Sequence, residues 1–208
     1  MKNDETVAVE FFFDPICPWA WLTSRWMVEV EKVRPVVVSW QVMSLALLNE
    51  GKDIPPEYWE RIKTSMGPGR LCVAAGLEHG SGYVLPLYTA LGTLFHHKER
   101  TRERSTYEAA LVEAGLPAEM AELAESEKYD EELGRSHKRA MASVGDDVGT
   151  PVLVTDKFSI FGPVVSPQPT GEEAGVFWDA VAQVSGTPGF FELKRTRDAR
   201  PILERFED

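Results

Sequence analysis

Cys17-Pro18-Trp19-Ala20 is the stretch of this 208-residue chain whose residue types could do covalent chemistry. It follows an apolar run, "VAVEFFF" at residues 7–13, and a turn at Asp14-Pro15. In a site of the form Cys-x-x-Cys the fourth position would carry a second thiol; here it is Ala20. A cysteine reacts as its thiolate. Pro18 suits the first turn of a helix, where a missing N–H costs nothing. Cys17 therefore stands where unpaired backbone N–H groups and the positive end of a helix dipole favour an anion. That placement predicts a pKa below that of a free cysteine. Asp14 opposes it if its charge points at the sulfur. The plain alternative is a small buried hydrophobe.

A second feature lies far along the chain. Thr150-Pro151 follows the loop "GDDVG" and opens an apolar run. Proline is out of place inside a central strand. It fits as a cis-proline that turns the chain towards a site, since cis peptide bonds are essentially a proline feature. Thr-Pro is a weak signal alone and a fairly specific one beside Cys-Pro-Trp at the first helix.

The elements that must position these residues can be read from periodicity and punctuation. Residues 7–13 read as a buried strand. Leu22, Trp26, Val30 and Val33 recur at helical spacing, so residues 18–33 make a helix that Pro35 stops. "VVVSWQVM", residues 36–43, is a second strand, which completes strand, helix, strand. From about Pro55 to Val144 the pattern is helical. "PEYWERIKTSM" is read as a helix broken by Gly67-Pro68-Gly69, and the last helix as closed by Gly145. Strand signals return in residues 150–162, two short strands around a turn at Asp156-Lys157, and residues 171–184 form an amphipathic helix. The organisation is residues 1–50 and 145–208 as one α/β domain, with 51–144 as an inserted helical subdomain.

Bulk properties exclude several function classes. The chain is 43% hydrophobic and 26% charged, ordinary for a globular protein. Its formal net charge of −11 argues against a nucleic-acid partner, which needs a basic face. No apolar run approaches the roughly 20 residues that span a bilayer. The N-terminus lacks a basic region followed by a cleavage site. The two cysteines, Cys17 and Cys72, are too few for a disulfide-built secreted protein. The expectation is a cytoplasmic protein with reduced thiols and no membrane contact.

Cys72, in "RLCVAAG", is the only candidate for a substitute second thiol, and a packing role is the commoner outcome for such a residue. Trp19 lies inside the motif and faces substrate; Trp26 keeps register with the helix core; Trp21 is open to either role. Met43, Leu45 and Asn49 follow the second strand and could line a pocket, with Tyr58, Trp59 and Tyr83 as an aromatic wall. Cores use the same residue types, and packing is the favoured reading for these positions. His79, His96, His97 and His137 show no metal-ligand spacing and read as surface or helix-end residues, so no metal is expected. "KRTR", residues 194–197, reads as a solvated basic tail. There is no glycine-rich phosphate loop, hence no tightly bound nucleotide or flavin.

With these residues in view, "FDPICPW", the helical insertion and "GTPVLV" resemble the DsbA-like branch of the thioredoxin superfamily. "FDPICPWAWLTSRW", "VMSLALLNE", "DDVGTP", "FGPVVS", "GEEAG" and "FFELKRTR" are similar to actinobacterial mycothiol-dependent reductases described as nitroreductases. The resemblance implies a thioredoxin fold with a large helical insertion. It makes Cys17 the nucleophile, Pro18 and Trp19 the intervening dipeptide, and Thr150 and Pro151 the loop that receives the bound thiol or disulfide. Trp21, Met43 and Asn49 complete the expected substrate-binding set. Ala20 occupies the resolving cysteine's place and departs from the pattern. In dithiol members that second thiol attacks the mixed disulfide and releases product. Ala20 is then either native to a monothiol protein or a replacement that traps an intermediate. The implied activity is thiol–disulfide oxidoreduction resolved by an external low-molecular-weight thiol, mycothiol, on small thiol, disulfide or nitro-aromatic substrates. A homodimer through the helical block or the tail is compatible with it.

Two other readings share the scaffold. One is a thiol-dependent transferase or isomerase, similar to kappa-class glutathione transferases, in which Cys17 does not cycle. The other is a redox-dead binding protein with a slow, unactivated thiol.

Overall fold

The computed structural model describes residues 6–203. Strand β1 (Val7–Phe13) pairs in parallel with β2 (Val36–Val42), in register from Val7 opposite Val36 to Phe13 opposite Val42. Helix α1 (Pro18–Val33) connects them. Strand β3 (Val152–Val154) runs antiparallel on the other side of β1, and β4 (Ser159–Phe161) pairs antiparallel with β3. The sheet order is β2-β1-β3-β4. β1 is thus a central strand whose three phenylalanines are fully buried. Phe11 and Phe13 join the main core, and Phe12 packs in a smaller cluster with Met43, Val152 and Ala140. Burial on both faces is why the run reads as continuously apolar rather than alternating. Each ring contributes roughly 2 kcal/mol of burial.

Helix α1 begins at Pro18 with Cys17 as its N-cap, and Pro35 lies beyond its C-cap, Arg34. Its inner face buries Trp21, Leu22, Trp26 and Val30. The Trp26 indole N–H donates to the Ala174 carbonyl at 3.0 Å. This ties α1 to the last helix of the described chain.

Between β2 and β3 the described chain is helical. It comprises α2 (Leu45–Asn49), α3 (Pro56–Ile62), α4 (Met66–Glu78), α5 (Val84–Gly92), α6 (Arg104–Glu113) and α7 (Asp130–Val144). Short 3-10 turns join several of them, including residues 63–65 and 118–124, and a π-helical turn extends α5 over Thr93–His97. The sequence reading placed a break at Gly67-Pro68-Gly69. Instead these residues sit in the first turn of α4, where Pro68 loses no hydrogen bond, and the interruption falls on Lys63–Ser65. Gly69 lets the Leu133 side chain of α7 approach: a Cβ there would meet it at 3.3 Å. Helix α8 (Gly171–Ser185) follows β4. No helix among the described residues is long and apolar enough to cross a membrane.

Candidate active site

The end of β1 and the start of α1 form one tight turn. The Cys17 N–H donates to the Asp14 carbonyl at 3.0 Å, and one Asp14 carboxylate oxygen accepts from the Ile16 N–H at 2.9 Å. The other oxygen accepts from the Leu45 N–H at 2.7 Å, at the start of α2. Asp14 is fully buried. Burial raises its carboxyl from an ordinary 3.8 to about 6, against the lowering effect of those two N–H groups, a Ser65 hydrogen bond and the Arg102 charge.

Cys17 Sγ accepts from the Ala20 N–H at 3.5 Å. It also lies 3.7 Å from the Thr150 carbonyl oxygen, to which the thiol donates. The Thr150–Pro151 peptide is cis, and the Thr150 hydroxyl oxygen accepts from the Asp14 N–H at 3.2 Å. Residues separated by more than 130 positions thus meet at one sulfur, as the Cys-Pro-Trp and Thr-Pro signals implied. Two further cis prolines, Pro163 and Pro167, carried no comparable sequence signal.

The thiol's acidity corrects the sequence expectation. Cys17 is 6% exposed. Burial pushes it up to about 12; the Ala20 N–H pulls it down, the Asp14 charge adds to the rise, and the Trp19 N–H and the Arg197 guanidinium pull down. The helix N-terminus acts in the expected direction, but desolvation is larger. In this arrangement Cys17 is held protonated, in keeping with its donation to Thr150.

The remaining expected site residues divide. Pro18 is the first residue of α1, Ala20 is fully buried behind the sulfur, and Trp19 is half-buried. Trp21 is core, because it lies under α5. A Cβ at Gly92 would meet its ring at 2.2 Å, Tyr88 packs edge-on, and the Arg25 guanidinium sits 4.2 Å from the ring centroid. Met43 is also core, fully buried beside Phe12. Neither presents a surface to a substrate here. Asn49 lines a cavity of about 350 Å3 with Gly51, Lys52, Ile54, Pro56 and Trp59. Tyr58, half-buried on α3, is within electrostatic reach of the thiol: burial first, then the charges of Cys17 and Asp14, raise its pKa. Cys72 is fully buried in α4 within the main core, and both cysteines are free thiols.

Of the four histidines His79 is exposed, as expected, while the other three are more buried than a surface reading implies. His96 is partly buried with Nε2 3.3 Å from the Pro15 carbonyl, and burial lowers it to about 4, so it backs the motif as a neutral donor. His97 Nε2 accepts from the Trp21 indole N–H at 3.0 Å. His137 is buried and accepts from the Ser44 N–H at 3.5 Å. A helix-end histidine looks solvated in one dimension; only the packing of the π-helical turn against Pro15 and Trp21 shows otherwise. Among the described residues no group of three or more His, Cys, Asp or Glu could hold a metal ion.

The sheet order, the helical insertion and a cysteine capping α1 opposite a cis-proline define a DsbA-like thioredoxin-fold protein. Solved structures agree on the fold. The chain superposes on the cytosolic disulfide reductase DsbM of Pseudomonas aeruginosa, solved with GSH, with a TM-score of 0.56 at 16% identity, covering 85% of this chain and 99% of that one. It superposes on DsbA of Chlamydia trachomatis with a TM-score of 0.57 at 10% identity, covering 89% and 91%. More specifically, residues 16–195 match the Rv2466c-like family model, described as mycothiol-dependent nitroreductase Rv2466c, and the chain belongs to that family. It is 29% identical over 199 residues to the protein Rv2286c of Mycobacterium tuberculosis, covering 93% of this chain and 84% of the relative.

Proposed function

We propose that this protein is a cytoplasmic thiol–disulfide oxidoreductase in which Cys17 acts as a single nucleophilic thiol. The observation that carries this reading is the position of Cys17 Sγ, 3.5 Å from the Ala20 N–H and 3.7 Å from the carbonyl of cis-linked Thr150. Once its proton is lost, Cys17 attacks a disulfide sulfur, the S–S bond breaks, and one half leaves as a thiolate. The other half stays on Cys17 as a mixed disulfide. Ala20 offers no second thiol, so an external low-molecular-weight thiol, mycothiol for this family, restores Cys17. The half-buried Trp19, two residues after Cys17, and Tyr58, within electrostatic reach of it, suit a small thiol, disulfide or nitro-aromatic compound. Residues 1–50 and 145–208 carry the thiol chemistry, and the inserted 51–144 covers it.

A second reading is favoured by one observation: a thiol buried and raised to about 12 reacts slowly. That suits a binding protein in which Cys17 does not cycle. Turnover of a small disulfide with mycothiol as reductant separates the two. The oxidoreductase reading expects turnover in the native chain and none in Cys17→Ser with an unchanged fold; equal turnover in both would refute it.

A further inference from the structure

The segment after α8 reaches the motif through one side chain. Residues 187–203 have no helix or strand, yet they are anchored at their far end. The Ile202 N–H donates to the Ser166 hydroxyl at 2.8 Å, and Leu203 packs on the main core. Between α8 and that anchor the Arg197 guanidinium carbon lies 5.4 Å from the centroid of the Trp19 ring. This is cation–π range, in which the ring face holds the charge in place. The sequence reading took this basic run for a solvated tail. It is exposed, but Arg197 is fixed on the residue two positions after Cys17.

The charge pattern is unusual for the molecule. The chain carries a net −11, yet residues 194–200 hold Lys194, Arg195, Arg197 and Arg200 against a single acid, Asp198. Among the described residues Arg197 forms no ion pair with a carboxylate, and its charge acts on the Cys17 thiol. A positive group that is exposed, seated on Trp19 within electrostatic reach of Cys17 and uncommitted to a carboxylate is placed to meet a negative one on an incoming molecule.

We propose that Arg197, seated on Trp19, is a specificity-determining residue that receives an anionic group of the disulfide attacked by Cys17. The proposal rests on the reading of Cys17 as nucleophile. The covalent step is the exchange already described, with the Cys17 proton passing to solvent and one substrate half leaving as its thiolate. Arg197 takes no part in bond making; it attracts the carboxylate or similar group of the half it meets.

The test is the rate of Cys17 modification in the full chain by two aromatic disulfides, dithiobis-nitrobenzoate, which carries carboxylates, and the neutral dithiodipyridine. In Arg197→Gln the ratio of anionic to neutral rate falls about threefold, the size of an exposed ion pair. Arg197→Lys keeps most of it, and high salt removes the native preference. An unchanged ratio in Arg197→Gln overturns the proposal. So does an equal fall for both reagents, which would mean that Arg197 acts on the thiolate and not on the incoming anion. Failure of the parent reading looks different: Cys17→Ser would react with the neutral reagent as fast as the native chain.

Discussion

Cys17 and Cys72 occupy two kinds of interior. Cys72 lies mid-helix in α4, fully buried within the main core, and burial raises its pKa far above that of a free thiol. Cys17 is nearly as buried, and its pKa is also raised. The difference lies in direction. Around Cys72 the surroundings are packing; around Cys17 they are polar groups aimed at one sulfur, the Ala20 N–H, the Thr150 carbonyl and, more distantly, the Asp14 and Arg197 charges. Burial alone thus does not separate a structural cysteine from a chemical one. On the proposed function, what does is a frame of donors and acceptors drawn from opposite ends of the chain.

The largest effect that would break this contrast is on activity. Cys17→Ser should reduce turnover to the uncatalysed background with thermal stability nearly unchanged, whereas Cys72→Ala should keep turnover. Steady-state assays beside thermal melts check both. Next, Ala20→Cys should convert the monothiol frame into a dithiol one. After mild oxidation the introduced thiol pairs with Cys17, seen as loss of one hydrogen pair by intact mass, and the mixed disulfide no longer accumulates during turnover. Failure to pair would mean that the Cα positions do not suit a disulfide.

Asp14 provides a pH test. Its folded pKa of about 6 exceeds the ordinary 3.8, so the folded state holds its proton over the window between them while the unfolded state has lost it. Stability from this group is therefore full below about pH 4 and falls as pH rises to about 6, by about 3 kcal/mol. Asp14→Asn should flatten that part of the denaturation-versus-pH curve. It should also lower the pKa of Cys17, because the Asp14 charge raises it. Alkylation rate against pH reads the second effect. The smallest change is structural: Cys72→Ala should cost about 1 kcal/mol, or a Tm fall of about 2–4 °C.

The thioredoxin-like frame was legible because its signals are local. Apolar runs ended by Pro15 and Pro35, the helix stripe of Leu22, Trp26 and Val30, and the turn at Asp156-Lys157 each mark an element by spacing alone. The pairing of Cys17 with Thr150-Pro151 was legible in two local signals, a cysteine-proline at a helix start and a proline where a strand opens, and the resemblance added their roles. What could not be read depends on packing between distant segments. Trp21 became core because Gly92 on α5 leaves room for its ring. The acidity of Cys17 reversed because the fold around it excludes water, a quantity that position at a helix start does not report. His96 and His97 do stand at a helix end, but the π-helical turn that closes α5 carries them against Pro15 and Trp21 and leaves them partly buried.

The central claim is that the polar frame around Cys17, and not burial, defines the reacting thiol. Exposure of the native chain to mycothiol disulfide, followed by intact mass and peptide mapping, tests it most directly. The account predicts one mycothiol adduct, located on Cys17, removed by free mycothiol and missing from Cys17→Ser. An adduct on Cys72, or none on the native chain, would contradict it.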